Sequence, residues 1–111
     1  MGAAPQQYDV YQAVADPTRR RIMQLLAGKE MPVTVISDQF AISRTAVSKH
    51  LRILREAGVV ASVKAGRETR YRLQPDALLE LKDWLSYFDM FWDNKLAALK
   101  RQLEMEEPSQ D

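Results

Sequence analysis

The sequence predicts a mainly α chain carrying one small β-hairpin, and three observations predict it. Apolar residues recur at helical spacing in short stretches up to residue 57. The period then changes to strict alternation over residues 59–73, on either side of Gly66-Arg67. After Pro75 helical spacing returns and holds to about Glu106. Four short helices, a hairpin and one long helix, with a tight turn between the third and fourth, make a winged helix-turn-helix.

The elements follow in order. Tyr8 to Ala15 places Val10, Tyr11 and Val14 on a short first helix. Asp16-Pro17 starts a second, because aspartate accepts from unpaired N–H groups and proline's fixed φ suits the first helical position. That helix runs to about Ala27, burying Ile22, Leu25 and Leu26, and Gly28 ends it. Pro32 to Phe40 reads as the third helix, with Thr34 as its cap and Ile36 and Phe40 facing inward. Ser43 caps the fourth, which buries Val47, Leu51 and Leu54 and stops at Ala57-Gly58. Val59, Ala61, Val63 and Ala65 then line one strand face, matched by Thr69, Tyr71 and Leu73. Gly66 stands where a type II′ two-residue turn needs positive φ. The last helix, over 75–106, is about 45 Å long at the usual rise per residue.

The expected organisation is an arm over 1–7, one winged helix-turn-helix domain over 8–106, and a loose tail over 107–111. Within the domain, 34–57 form the helix-turn-helix, 59–73 the wing and 75–106 a dimerisation helix.

A chain of 111 residues with 46% apolar and 28% charged residues has the composition of one globular domain. No apolar run is long enough to span a bilayer, and Met1-Gly2-Ala3-Ala4-Pro5 lacks the pattern of a signal peptide. Cysteine is absent and His50 is the one histidine. Thiolate sites are therefore excluded, a zinc site lacks ligands, and a reducing cytoplasm suits the chain. No cofactor is expected. The net charge of +1 conceals a split. Asp16 to Arg72 holds 12 Lys/Arg against 5 Asp/Glu, a net of +7, and the remainder is net −6. A basic block of this kind suits phosphates.

Helix, turn and helix carry the functional signal. In the turn, Ser37 lies four residues before Ala41 and Val47 six after it, with Ile36, Phe40, Ile42, Val47 and Leu51 apolar between the helices. The fourth helix then turns Arg44, Thr45, Ser48, Lys49, Arg52 and Arg55 outward. Its N-terminal residues are those such a helix points at base edges, where arginine can pair with guanine and Thr or Ser can donate or accept. Ser43 leaves N–H groups at a positive dipole end for a phosphate. On the hairpin, Lys64, Arg70 and Arg72 share an outward face and Arg67 takes the tip, suited to the DNA backbone or minor groove. The alternative for both is a solvated charged surface. Arg19-Arg20-Arg21 is expected to bridge acids such as Glu80 or Asp83, with phosphate contact as the alternative, and His50 to sit half buried in the helix pair, with a base or phosphate contact as the alternative.

Three segments resemble the ArsR family of winged-helix regulators. They are Ala15-Asp16-Pro17-Thr18-Arg19-Arg20-Arg21-Ile22, Ile42-Ser43-Arg44-Thr45-Ala46-Val47-Ser48-Lys49-His50-Leu51, and Leu54-Arg55-Glu56-Ala57-Gly58-Val59-Val60. The hairpin Gly66-Arg67-Glu68-Thr69-Arg70-Tyr71 fits as well. The resemblance implies a dimeric repressor of double-stranded DNA, released by some signal. Relatives that sense metals carry a Cys-x-Cys pair in the third helix, where this chain has Pro32 and Thr34. Others use histidines of the last helix, which here has none. The resemblance therefore points to the non-metal branch, and Asp89 and Asp93 read as a solvated face.

Leu78, Leu81, Leu85, Phe88 and Trp92, continued by Leu96, Leu99 and Leu103, give the last helix an apolar stripe too long for one small domain to cover. A second copy related by two-fold symmetry would cover it. The expected interface comprises Tyr8, Tyr11, Val14, Leu81, Trp84, Leu85, Phe88, Phe91, Trp92, Leu96 and Leu99. Its aromatic part could admit a small-molecule effector, or could simply be packing. The chain thus reads as a DNA-binding regulator and not an enzyme, since no nucleophile–base pair is implied. The alternative is a winged-helix module that binds protein without touching DNA.

Overall fold

The computed structural model describes residues 8–106, so the predicted arm over 1–7 and tail over 107–111 lie outside the described residues. The chain divides into two compact units after Leu81.

In the first unit α1 is one turn, Val10–Ala13, opened by a reciprocal capping box. Asp9 accepts from the Gln12 N–H at 2.8 Å, and the Gln12 side chain accepts from the Asp9 N–H at 2.9 Å. It is shorter than the predicted helix over 8–15. Arg19 and Arg20 take the carbonyls of Gln12, Ala13 and Val14, and Pro17 disfavours helix at Asp16. The second helix, α2, spans Pro17–Gly28, with Asp16 accepting from the Arg19 N–H at 3.0 Å. Gly28 is its last residue and not a terminator beyond it, since the chain leaves through an extended Lys29.

A strand absent from the sequence reading follows. Met31–Pro32, β1, pairs antiparallel with Tyr71 and Arg70. Pro32 fits because an edge strand can spare its N–H. Pairing holds Pro32 extended and starts α3 at Val33, so α3 covers Val33–Asp38 and Thr34 lies inside it. The predicted Thr34 cap is therefore corrected: Pro32 occupies that position with no side-chain bond. Tight-turn bonds from Gln39 to Ile36 and from Phe40 to Ser37 end the helix before Phe40.

The fourth helix, α4, spans Arg44–Glu56, capped by Ser43, whose Oγ accepts from the Ala46 N–H at 3.1 Å. Its end is a Schellman motif. Val59 N–H donates to the Leu54 carbonyl and Gly58 N–H to that of Arg55, with Gly58 at φ +78°. Val59 and Leu54 are both fully buried, which gives the motif its apolar contact. The core is built from Val10, Ala13, Ile22, Leu26, Ile36, Val47, Leu51, Leu54, Ala57, Val59 and Val60.

Strands β2 (Val60–Ala65) and β3 (Glu68–Leu73) join at Gly66-Arg67, and the sheet order is β1-β3-β2. Gly66 has φ +66° and Arg67 does not have positive φ, as a type II′ turn requires. The strand faces are corrected by one residue. Val60, Ser62 and Lys64 pair with Leu73, Tyr71 and Thr69, while Ala61 and Val63 pair with Arg72 and Arg70. Directly paired residues share a face, so Lys64 lies on the face opposite Arg70 and Arg72. The cause is Val59, which belongs to the helix cap and not to the strand. Its neighbour Val60 is also buried, and the alternation restarts there.

A 3-10 turn over Pro75–Leu78 leads into α5, Leu79–Ser86. The predicted single helix over 75–106 is interrupted: α6 begins anew at Asp89 and runs to Glu106. Ser86 Oγ donates to the Asp83 carbonyl at 2.6 Å, and the N–H groups of Tyr87 and Phe88 bond three residues back, to Trp84 and Leu85. These bonds tighten the turn and displace the α-helical pattern. Within the second unit Trp84 meets Phe88 edge-on at 5.3 Å, and Phe91 meets Trp92 at 5.2 Å.

Candidate nucleic-acid interface

The amphipathic sequence of α4 sorts its side chains cleanly. Val47, Leu51 and Leu54 are fully buried, whereas Arg44, Thr45, Ser48, Lys49, Arg52 and Arg55 are exposed. The burial anchors the helix and leaves its cationic face in water. Ile42 departs from expectation: it is 40% exposed in the turn and does not fill the space between α3 and α4. Ala41 has no positive φ, so the turn needs no glycine there.

The sequence-predicted cations differ in their freedom. Arg52 Nε lies 3.9 Å from Glu56 on the next turn. Arg70 sits between two acids, with Nη1 3.7 Å from Glu30 and Nε 3.4 Å from Glu68. Arg72 and Lys64 are exposed on opposite faces of the sheet. Arg44 and Arg67 share a cleft of about 210 Å³ between the start of α3, the start of α4 and the hairpin tip. Pro32, Val33, Thr34, Glu68 and Thr69 complete its walls. This cleft exists because β1 ties the hairpin to the segment entering α3. The apolar run Met31-Pro32-Val33, placed after Lys29-Glu30, is the signal that could have exposed it.

Behind this surface lies a polar cluster. Arg19 donates to the Ala13 carbonyl from Nε and to the Gln12 carbonyl from Nη2, both at 2.9 Å. Its Nη1 is 3.4 Å from His50 Nδ1, which is 3.9 Å from Asp16 Oδ2. Arg20 donates to the Val14 carbonyl at 2.7 Å, and Arg21 lies over the Phe40 ring at 5.2 Å. Within the first unit, the predicted pairing of these arginines with Glu80 is thus replaced by carbonyl capping of α1 and an aromatic contact. A guanidinium at a helix C-terminus meets the negative end of the dipole, which explains this choice. Burial acts to raise the Asp16 pKa but is outweighed. The Arg19 N–H, the charges of His50 and Arg19, and the Thr18 N–H hold it below the usual carboxylate value.

Of the predicted interface residues, Tyr8 and Leu81 pack partly buried against the core of their own chain. Trp84, Leu85, Phe88, Phe91, Trp92, Leu96 and Leu99 are 40–60% exposed. Tyr11 is at 36%, and Val14 is half-buried. Among the described residues, no cluster of three or more His, Cys, Asp or Glu gathers to hold a metal. None of the described helices is long and apolar enough to cross a membrane.

Residues 14–63 match the protein family described as a helix-turn-helix domain. The chain is 36% identical over 88 residues to the transcriptional repressor SdpR of Bacillus subtilis, covering 79% of this chain and 98% of that protein. It is 35% identical over 96 residues to the HTH-type transcriptional regulator Rv2034 of Mycobacterium tuberculosis, covering 86% and 87%. Among solved structures, the ArsR-like transcriptional regulator from Rhodococcus sp. RHA1 superposes with a TM-score of 0.68 at 36% identity. That match covers 88% of this chain and 90% of the other.

Proposed function

The chain belongs to the ArsR family of winged-helix transcriptional regulators, and from that premise we propose that it is a repressor binding an inverted-repeat operator as a homodimer. It is a DNA-binding transcriptional regulator. The observation that carries the finer reading is the sorting of α4, with three fully buried anchors behind a face of exposed cations and hydroxyls. In this reading α4 enters the major groove, with Thr45, Ser48 and Lys49 at base edges. The hairpin, with Arg67 at its tip and Arg72 on its flank, follows the backbone. Ser43, Arg52 and Arg55 add phosphate contacts, and Lys64 and Arg70 add positive potential. The protein acts in the cytoplasm by binding and not by catalysis.

A second copy follows from the apolar residues of α5 and α6. Leu96, Leu99 and Leu103 are each at least half exposed, more apolar surface than a small monomer usually presents. Two-fold pairing would place two α4 helices about one turn of DNA apart, roughly 34 Å. Selection of bound fragments from genomic DNA, followed by footprinting, tests this. Two protected half-sites with that spacing are expected; a single half-site, or no enrichment, overturns it.

A further inference from the structure

Arg44 and Arg67 are far apart in sequence and stand on different elements, yet both line one cleft of about 210 Å³. Arg44 is the first residue of α4, where a cation opposes the positive end of the helix dipole. A second cation in the same cleft repeats that unfavourable arrangement, and an anion resolves both. Glu68 is the acid of the lining, but its carboxylate already faces Arg70 at 3.4 Å. The two arginines therefore keep their surplus positive charge. Thr34 and Thr69 add neutral hydroxyl donors, and Pro32 and Val33 supply an apolar wall. The lining offers no aromatic face on which a base could stack.

We propose that this cleft seats one backbone phosphate of the bound duplex, held by the guanidinium groups of Arg44 and Arg67 together. The proposal rests on the DNA-binding reading and deepens it. Guanidinium suits the task, because its planar fork of donors matches phosphate oxygens. Arg44 is then a positioning contact and not a base reader, in contrast to the expectation from sequence. The base edges fall to Thr45, Ser48 and Lys49. One phosphate gripped from both sides also fixes the register of the recognition helix and the wing on the same strand.

The test is the salt dependence of binding to a mixed-sequence duplex for the native chain, Arg44→Ala, Arg67→Ala and the double variant. Both side chains are exposed, and circular dichroism checks that each variant is folded. The slope of log K against log salt counts neutralised phosphates, at about 0.9 each. With a shared phosphate, each single variant weakens binding several-fold yet keeps nearly the native slope, because the remaining arginine still neutralises it. The double variant then loses about 0.9 per bound protomer. A loss of about 0.9 per bound protomer in each single variant and about 1.8 per protomer in the double means two separate phosphates and overturns the proposal. So does a change of preferred base at one position in fragments selected by Arg44→Ala. A native chain whose binding ignores salt fails differently: it removes the DNA-binding reading itself.

Discussion

Arg19 on α2 reaches Nδ1 of His50 on α4 at 3.4 Å. The same arginine donates to the carbonyls of Gln12 and Ala13. One side chain thus joins the end of α1, the start of α2 and the middle of the recognition helix.

Arg19→Ala leaves two α1 carbonyls without these donors and releases His50. Hydrogen bonds from a charged donor contribute about 1.5–3 kcal/mol, and a loss of that size is expected in urea unfolding. Arg19→Lys should recover only part of it, since an ammonium cannot fork between two carbonyls as a guanidinium does. Full recovery by lysine would mean that the charge and not the fork is what counts.

Asp16 gives the fold an acid limb. Its folded pKa is lowered: burial opposes this, but the Arg19 N–H, the His50 and Arg19 charges and the Thr18 N–H prevail. A group with a depressed folded pKa contributes stability that is present above its unfolded pKa. That stability is lost as pH falls through the folded value. The stability gap between the native chain and Asp16→Asn should therefore be open near neutral pH and close below about pH 4, where an unfolded aspartate titrates. Asp16→Ala also removes the cap of α2 and should cost about 1 kcal/mol more of helix stability. Urea titrations across this range measure both.

Gly58 lies at φ +78° with no neighbouring atom where a Cβ would stand, so its substitution cost is purely backbone. Gly58→Ala should destabilise by about 1–2 kcal/mol, the usual penalty for an L-residue in the left-handed region. Gly58→Asn should lose less, because asparagine tolerates that region. Equal losses in thermal unfolding would show that the side chain meets something other than open solvent.

These residues also show how far the sequence could be read. Asp16-Pro17, Ser43 and Gly58 state the bounds of α2 and α4 through local chemistry, and Val47, Leu51 and Leu54 state the buried face through period alone. The hairpin turn was legible because Gly66 is needed for its φ. The face of β2 was not, since one buried valine belongs to the helix cap and the next to the strand, a distinction that periodicity cannot make. β1 escaped because two residues carry no period and their pairing with Tyr71 and Arg70 is non-local. The cationic face of α4 could be read from spacing. The cleft that Arg44 shares with Arg67 could not, because it depends on that missed strand. Ser86 likewise ends α5 through a bond to Asp83 that competes with the helix, while the apolar stripe runs on through the break.

The last prediction concerns assembly. On α6, Leu96 is 60%, Leu99 51% and Leu103 60% exposed, and all three recur at the spacing of one helix face. A charge at the centre of such a face costs a dimer the desolvation of an unpaired ion, while a monomer leaves the charge in water. Leu99→Glu should therefore shift sedimentation from dimer to monomer without changing the secondary structure. Ending the chain before Trp84 removes α6 and should also give a folded monomer, since the core residues all precede that point. Losing the partner converts a bivalent contact into a single one, and operator affinity should fall by about 10²–10⁴. A monomeric variant that keeps its native affinity would show that each recognition helix binds alone, and the two-fold arrangement would then have no part in reading the operator.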